Sequence, residues 1–107
     1  MNRKSFAIVL AALLPIAAST AFAASDGAAV YKTKCASCHG ADGSGQTAMG
    51  KSLKLRDLGS ADVQTQTDKE LYSLTADGKG KMPAYKGKLT EADINALVAH
   101  MRTMAKK

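Results

Sequence analysis

The chain has 107 residues, enough for one small domain, with fifteen Lys and Arg against nine Asp and Glu and a net charge of +6. Two cysteines, no Trp, two Phe and three Tyr leave little bulky material for a core. These figures exclude a multidomain enzyme, and the interleaving of acids among scattered lysines excludes a nucleic-acid patch.

At the start of the chain, Arg3 and Lys4 precede an apolar run from Phe6 to Ala18 broken only by Pro15. Ala21-Phe22-Ala23 then presents the small-x-small pattern of a signal peptidase site. The expectation is a secretory signal peptide over residues 1–23 and a single domain over 24–107. A permanent anchor is the weaker alternative, because the run falls short of the ~20 residues a span needs. No second apolar run follows, so no stable membrane insertion is expected after cleavage. Residues 24–107 hold only Tyr31, Tyr72 and Tyr85 as aromatics. A domain so small usually needs a staple or a bound group to complete its core. A Cys35–Cys38 disulfide would close almost no loop and stabilise little.

The first helix is expected from about Asp26, a good N-cap, to about Cys35. Gly27, Tyr31 and Cys35 then share one stripe, with Val30 beside it. From Gly40 to Gly50 four glycines permit tight turns, and the Leu53, Leu55 and Leu58 segment has no clear assignment. Thr67-Asp68-Lys69-Glu70 reads as a capping box opening a second helix that Asp77-Gly78 ends. A glycine-punctuated loop runs from Gly78 to Lys88. The last helix opens at Thr90 with Glu91 and Asp93 near its positive end, and Ile94, Leu97, Val98 and Met101 form its apolar stripe. No alternating strand pattern appears, and the fold class is all-α.

Cys35-Ala36-Ser37-Cys38-His39 is a C-x-x-C-H run, the attachment signature of c-type haem. Two thiols three residues apart can add to two vinyl groups along one porphyrin edge, and the adjacent His39 imidazole can then bind iron. A thioredoxin-like pair would need a βαβ context, and a zinc site would need ligands the chain does not supply. The second axial ligand is sought among His100, Met49, Met82, Met101 and Met104. Met82 is expected: it sits in a loop stiffened by Pro83 and able to bend at Gly78 and Gly80. Met101 lies on the helix stripe and reads as core, Met104 flanks it, and Met49 lies only ten positions after His39. His100, on the flank of the stripe, reads as a packing residue.

These residues resemble class I c-type cytochromes over essentially the whole of 24–107. The likeness rests on Gly27 with Tyr31, on Cys35 to Gly40, on Lys81-Met82-Pro83-Ala84-Tyr85 and on Leu97-Val98-Ala99. The Met-Pro-Ala-aromatic run is most similar to cytochrome c-six and related small bacterial monohaem carriers. The resemblance implies about four helices wrapped around one covalent haem c, with the first and last crossing at Gly27. The family usually places an aromatic residue at that crossing; here it is His100, whose imidazole can still pack flat. Arg56 is placed either to pair with a haem propionate or to sit solvated, and Tyr85 to cover the haem near Met82. The implied function is a soluble one-electron carrier, not an enzyme, shuttling between larger periplasmic or membrane redox complexes. It would dock transiently at the exposed haem edge, as a monomer, in the periplasm or in a thylakoid lumen. Two rivals are a haem subunit of a larger enzyme and a gas sensor from which Met82 detaches.

Overall fold

A computed structural model describes residues 11–13 and 25–106. The expected leader lies almost wholly outside the described residues. Six helical segments follow one another: α1 (Gly27–Lys34), α2 (Ala36–His39), α3 (Ala48–Leu53), α4 (Ala61–Gln64), α5 (Asp68–Asp77) and α6 (Glu91–Arg102). Among the described residues there is no strand, only two isolated bridges, Lys79 with Met82 and Lys86 with Leu89.

Each long helix begins where a side chain replaces a missing backbone partner. The Asp26 carboxylate accepts from the Ala29 N–H at 3.2 Å. Thr67 and Glu70 form the expected capping box on α5, and Thr90 with Asp93 forms a second one on α6. In the second box an aspartate replaces the usual Glu or Gln and still reaches the Thr90 N–H at 3.1 Å.

Helix α6 is the centre of the molecule. Its stripe of Ile94, Leu97, Val98 and Met101 is buried, and Leu97 has no exposure at all. Tyr31 from α1, Val63 from α4 and Leu71 from α5 complete the buried cluster with it. Helix α1 crosses α6 at Gly27, where a Cβ would stand 2.2 Å from the Ala96 carbonyl oxygen. Only a residue without a side chain allows that approach. His100 fills the flank of the crossing, its ring centroid 5.1 Å from that of Tyr31. The two planes are tilted by 52°, so the imidazole does not lie flat as expected.

The short helices are where expectation and structure differ. Residues Gly40 to Thr47 form the expected turns, but Ala48 starts α3, which takes in Leu53. Helix α4, on Ala61–Gln64, has no counterpart in the sequence reading. Both are held by side chains. Thr47 accepts from the Gly50 N–H at 2.8 Å and donates to the Cys38 carbonyl at 2.6 Å. The Gln64 amide donates to the carbonyls of Leu58 and Met101. Arg102 donates to the Gln64 and Gln66 carbonyls at 2.8 and 2.6 Å and pairs with Asp68 at 2.8 Å. Six segments therefore stand where about four helices were expected, the extra ones being single turns fixed by tertiary hydrogen bonds.

Candidate functional site

The C-x-x-C-H run lies across the junction of α1 and α2. Cys35 caps α1, its N–H donating to the Tyr31 carbonyl at 2.8 Å, and α2 then carries Cys38 and His39. Gly40 ends α2 at φ 85°, a left-handed conformation that glycine adopts without strain. The backbone around these residues is closely bonded. The Cys35 carbonyl accepts from the His39 N–H at 3.0 Å and the Ala36 carbonyl from Gly40 at 2.8 Å. The Cys38 carbonyl accepts from Thr47, and that of His39 from the Gly45 N–H at 2.7 Å. The buried Tyr31 hydroxyl donates to the Gly40 carbonyl at 2.6 Å. Burial pushes the Tyr31 pKa up to about 12, with smaller contributions from the charges of Cys35 and Asp42.

Behind this segment opens an apolar cavity of about 250 Å³, walled by Leu55, Leu58, Val63, Leu71 and Leu74. A smaller hollow of about 60 Å³ lies on the Cys38, Pro83 and Tyr85 side. Cys35, His39, Leu55 and Met82 line both, so the two are neighbouring parts of one cleft.

The chemistry of the lining groups is distinctive. Both thiols are free and half-buried. Burial raises the Cys35 pKa to about 11, with a further push from Cys38, so it is a protonated thiol at neutral pH. Burial also lowers the pKa of His39. The neutral imidazole is thereby favoured, and the buried Nδ1 has no hydrogen-bond partner among the described residues. An apolar cleft containing a neutral imidazole, two thiols and a thioether fits a soft, largely apolar iron-bearing group. Such a group would fill the cavity and could be held by the imidazole, the thiols and the thioether.

Met82 reaches the cleft from a loop built for close turns. The Lys79 and Met82 backbones exchange hydrogen bonds of 3.2 and 3.0 Å around Gly80. A Cβ on Gly78, at φ 72°, would lie 2.6 Å from the Met82 carbonyl. The loop is fastened to α5 by the Tyr85 and Lys86 N–H groups, which donate to Thr75 and Ala76. The Tyr85 hydroxyl ties it to α1 by donating to the Lys34 carbonyl at 2.9 Å.

Of the residues singled out from sequence, Cys35, Cys38, His39, Met82, Arg56 and Tyr85 all line one or other part of the cleft. Arg56 is exposed and sits at the edge of the larger cavity. Met49 is 52% exposed and lines neither part; Met104 and His100 also line neither. Met101 belongs to the buried core as expected, yet also lines the larger cavity. Sequence reasoning missed Leu55 and Leu74 as cavity walls and Thr47 as the brace on Cys38. The apolar spacing around Leu55 carried no period, and a lone threonine before a short helix carried no signal.

The family described as "Cytochrome C oxidase, cbb3-type, subunit III" matches residues 22–101. Among curated relatives, cytochrome c6 of Leptolyngbya boryana is 33% identical over 84 residues, covering 78% of this chain and 95% of the relative. Cytochrome c6 of a Synechococcus strain is 35% identical over 104 residues, covering 94% of this chain and 89% of the relative. The solved structure of the KustC0563 c-type cytochrome superposes with a TM-score of 0.71 at 32% identity, covering 76% of this chain and 99% of that one. With the family match spanning most of the chain and the helical fold shared, the chain belongs to the monohaem c-type cytochromes of class I, electron carriers and not enzymes.

Proposed function

We propose that Cys35 and Cys38 would hold one haem c covalently, that His39 and Met82 would bind its iron, and that the protein carries single electrons between larger extracytoplasmic redox partners. When bound, the haem supplies a one-electron couple. The observation that carries this reading is the convergence on one apolar cleft of two free thiols, the imidazole of His39 and the loop thioether of Met82.

The chain's own residues account for the rest. Burial lowers the pKa of His39 and so favours the neutral imidazole, which can donate a lone pair to a metal. The hydrogen bonds of Tyr31 to Gly40 and Thr47 to Cys38 fix the backbone on either side of that imidazole. A thioether ligand favours reduced iron, and the apolar wall disfavours the extra positive charge of the oxidised state; both raise the potential. Arg56, at the cavity edge, would meet a propionate, and Tyr85 would cover the cleft beside Met82. Transient docking at the Cys38 side, a monomeric state and export behind the 1–23 leader complete the proposal. Among the described residues, no helix is long and apolar enough to cross a membrane.

The test is the visible spectrum of the holoprotein with Met82→Ala set against Met101→Leu. Loss of the Met–iron band in the first and its retention in the second is the expected outcome; the reverse would transfer the ligand role to α6. A second reading follows from the matched family description, which names an oxidase subunit. Stable co-purification with a larger haem enzyme would favour that arrangement over a free carrier.

A further inference from the structure

Leu55, Arg56, Leu58, Val63 and Gln66, which wall one side of the larger cavity, all come from the stretch of chain between α3 and α5. That stretch contains only the single turn of α4 and cannot hold a wall by its own regular structure. Its fastening comes from the end of α6. The Gln64 amide donates to the carbonyls of Leu58 and Met101 at 2.7 and 3.0 Å. Arg102 Nη1 donates to the Gln64 carbonyl at 2.8 Å, and Nη2 donates to that of Gln66 at 2.6 Å. Both carbonyls stand at or beyond the end of α4, and neither accepts from a backbone N–H among the described residues. Leu58, Val63, Gln66 and Met101 line the cavity, whereas Gln64, Asp68 and Arg102 do not. The clamp therefore lies wholly behind the wall it holds.

We propose that Arg102 is a positioning residue for electron transfer: its guanidinium locks the Val63–Gln66 side of the cleft to α6 and so keeps water from the group bound there. The proposal rests on the electron-carrier reading above. A planar fork of N–H donors can meet two carbonyls and a carboxylate at once, which the compact ammonium of a lysine cannot. The carboxylate is the least of the three. Asp68 is 77% exposed and the Arg102 side chain 31%, so solvent screens that pair and its contribution is small. The bonds to the Gln64 and Gln66 carbonyls are part-buried and charge-assisted, and they carry the fastening. Burial from solvent is one of the levers that raise the potential of an iron-bearing group. A wall that yields admits water and lowers that potential, even though no residue touching the group has changed.

The experiment is redox titration and amide hydrogen exchange on the holoprotein and its Arg102→Lys, Arg102→Gln, Asp68→Asn and Lys106→Gln variants. Both Arg102 variants should shift the midpoint potential downward and speed exchange at the Gln64, Thr65 and Gln66 amides by about ten-fold or more. Exchange at Cys35 and His39, whose N–H groups bond to carbonyls on the α1 side, should stay as it was. The Met–iron band should persist throughout, which marks the effect as solvent access and not ligation. Arg102→Lys keeps the positive charge, so its shift cannot come from a lost charge acting through space. Lys106→Gln removes a charge from the other ion pair, with Asp57, and should leave the midpoint in place. Gln64→Met deletes the amide donors at similar volume and should shift midpoint and exchange in the same direction. It keeps the test decisive if neither Arg102 variant folds. A lowered melting temperature with an unchanged midpoint would make the clamp a matter of stability alone and overturn the proposal. An Asp68→Asn shift as large as that of Arg102→Lys, or loss of the Met–iron band, would overturn it too. Absence of a reversible one-electron couple in the unaltered protein would overturn the carrier reading itself, and the proposal with it.

Discussion

The α1–α6 crossing and the Met82 loop both serve the same cleft, but they are built on opposite principles. The crossing is backbone against backbone at Gly27, backed by the buried Tyr31, Leu97 and Val98. The loop is exposed at Lys79, Gly80, Lys81, Pro83 and Ala84, and is held by a few hydrogen bonds and two left-handed glycines. One region supplies rigidity around the C-x-x-C-H segment, and the other brings Met82, the proposed ligand, to the cleft through a tether with few buried contacts. The difference teaches that stability and ligation are separable here: damage at the crossing should unfold the protein, whereas damage to the loop should alter the iron's surroundings in a folded one.

The sharpest test of the rigid side is Gly27→Ala. The added methyl overlaps the Ala96 carbonyl, which cannot rotate away, so the helices must separate at a cost of about 3 kcal/mol. Urea unfolding should show this, and an unchanged midpoint would mean that the crossing is not the rigid element. Next in size is Tyr31→Phe, which removes a buried hydrogen bond worth about 1 kcal/mol. Its pH dependence has a definite sign. The folded-state pKa lies near 12, above the ordinary value of about 10, so the hydroxyl's contribution is complete below pH ~10 and is lost as pH rises through 12. The gap between wild type and variant should therefore shrink over that range, and a constant gap would deny the burial of the hydroxyl.

The smallest stability effect belongs to the flexible side. Tyr85→Phe loses an exposed hydrogen bond to Lys34 and should cost about 0.5 kcal/mol. Its larger signature should be kinetic: faster carbon monoxide binding to the reduced protein, because the Met82 loop opens more often. A large loss of global stability with no change in ligand binding would show that the loop and the crossing unfold as one unit, erasing the distinction.

Much of this was legible in the sequence for local reasons. The capping box at Thr67, the helix start at Thr90, the α6 stripe and the C-x-x-C-H run each act through residues within one or two turns of one another. What escaped notice acts across the chain. Helices α3 and α4 are too short to show a period, and they exist because Thr47 reaches Cys38 and because Arg102 and Gln64 bond to each other's helices. The cleft residues with chemistry of their own, Cys35, Cys38, His39 and Met82, were visible by type. The leucine walls were not, since a leucine, whether in a loop like Leu55 or on a helix like Leu74, announces burial but not against what.

The hydrogen bonds of the attachment segment have one more consequence, concerning competition. The carbonyl oxygens of Cys35, Ala36, Cys38, His39 and Gly40 already accept from named donors within the protein. Oxygen atoms so engaged are poor rivals for a metal and poor hosts for water. On this stretch those five carbonyls are engaged, while the sulfurs and the His39 Nδ1 have no partner among the described residues. The segment thus favours soft donors over hard ones, through backbone N–H groups at three of these carbonyls and through a tyrosine and a threonine at the other two.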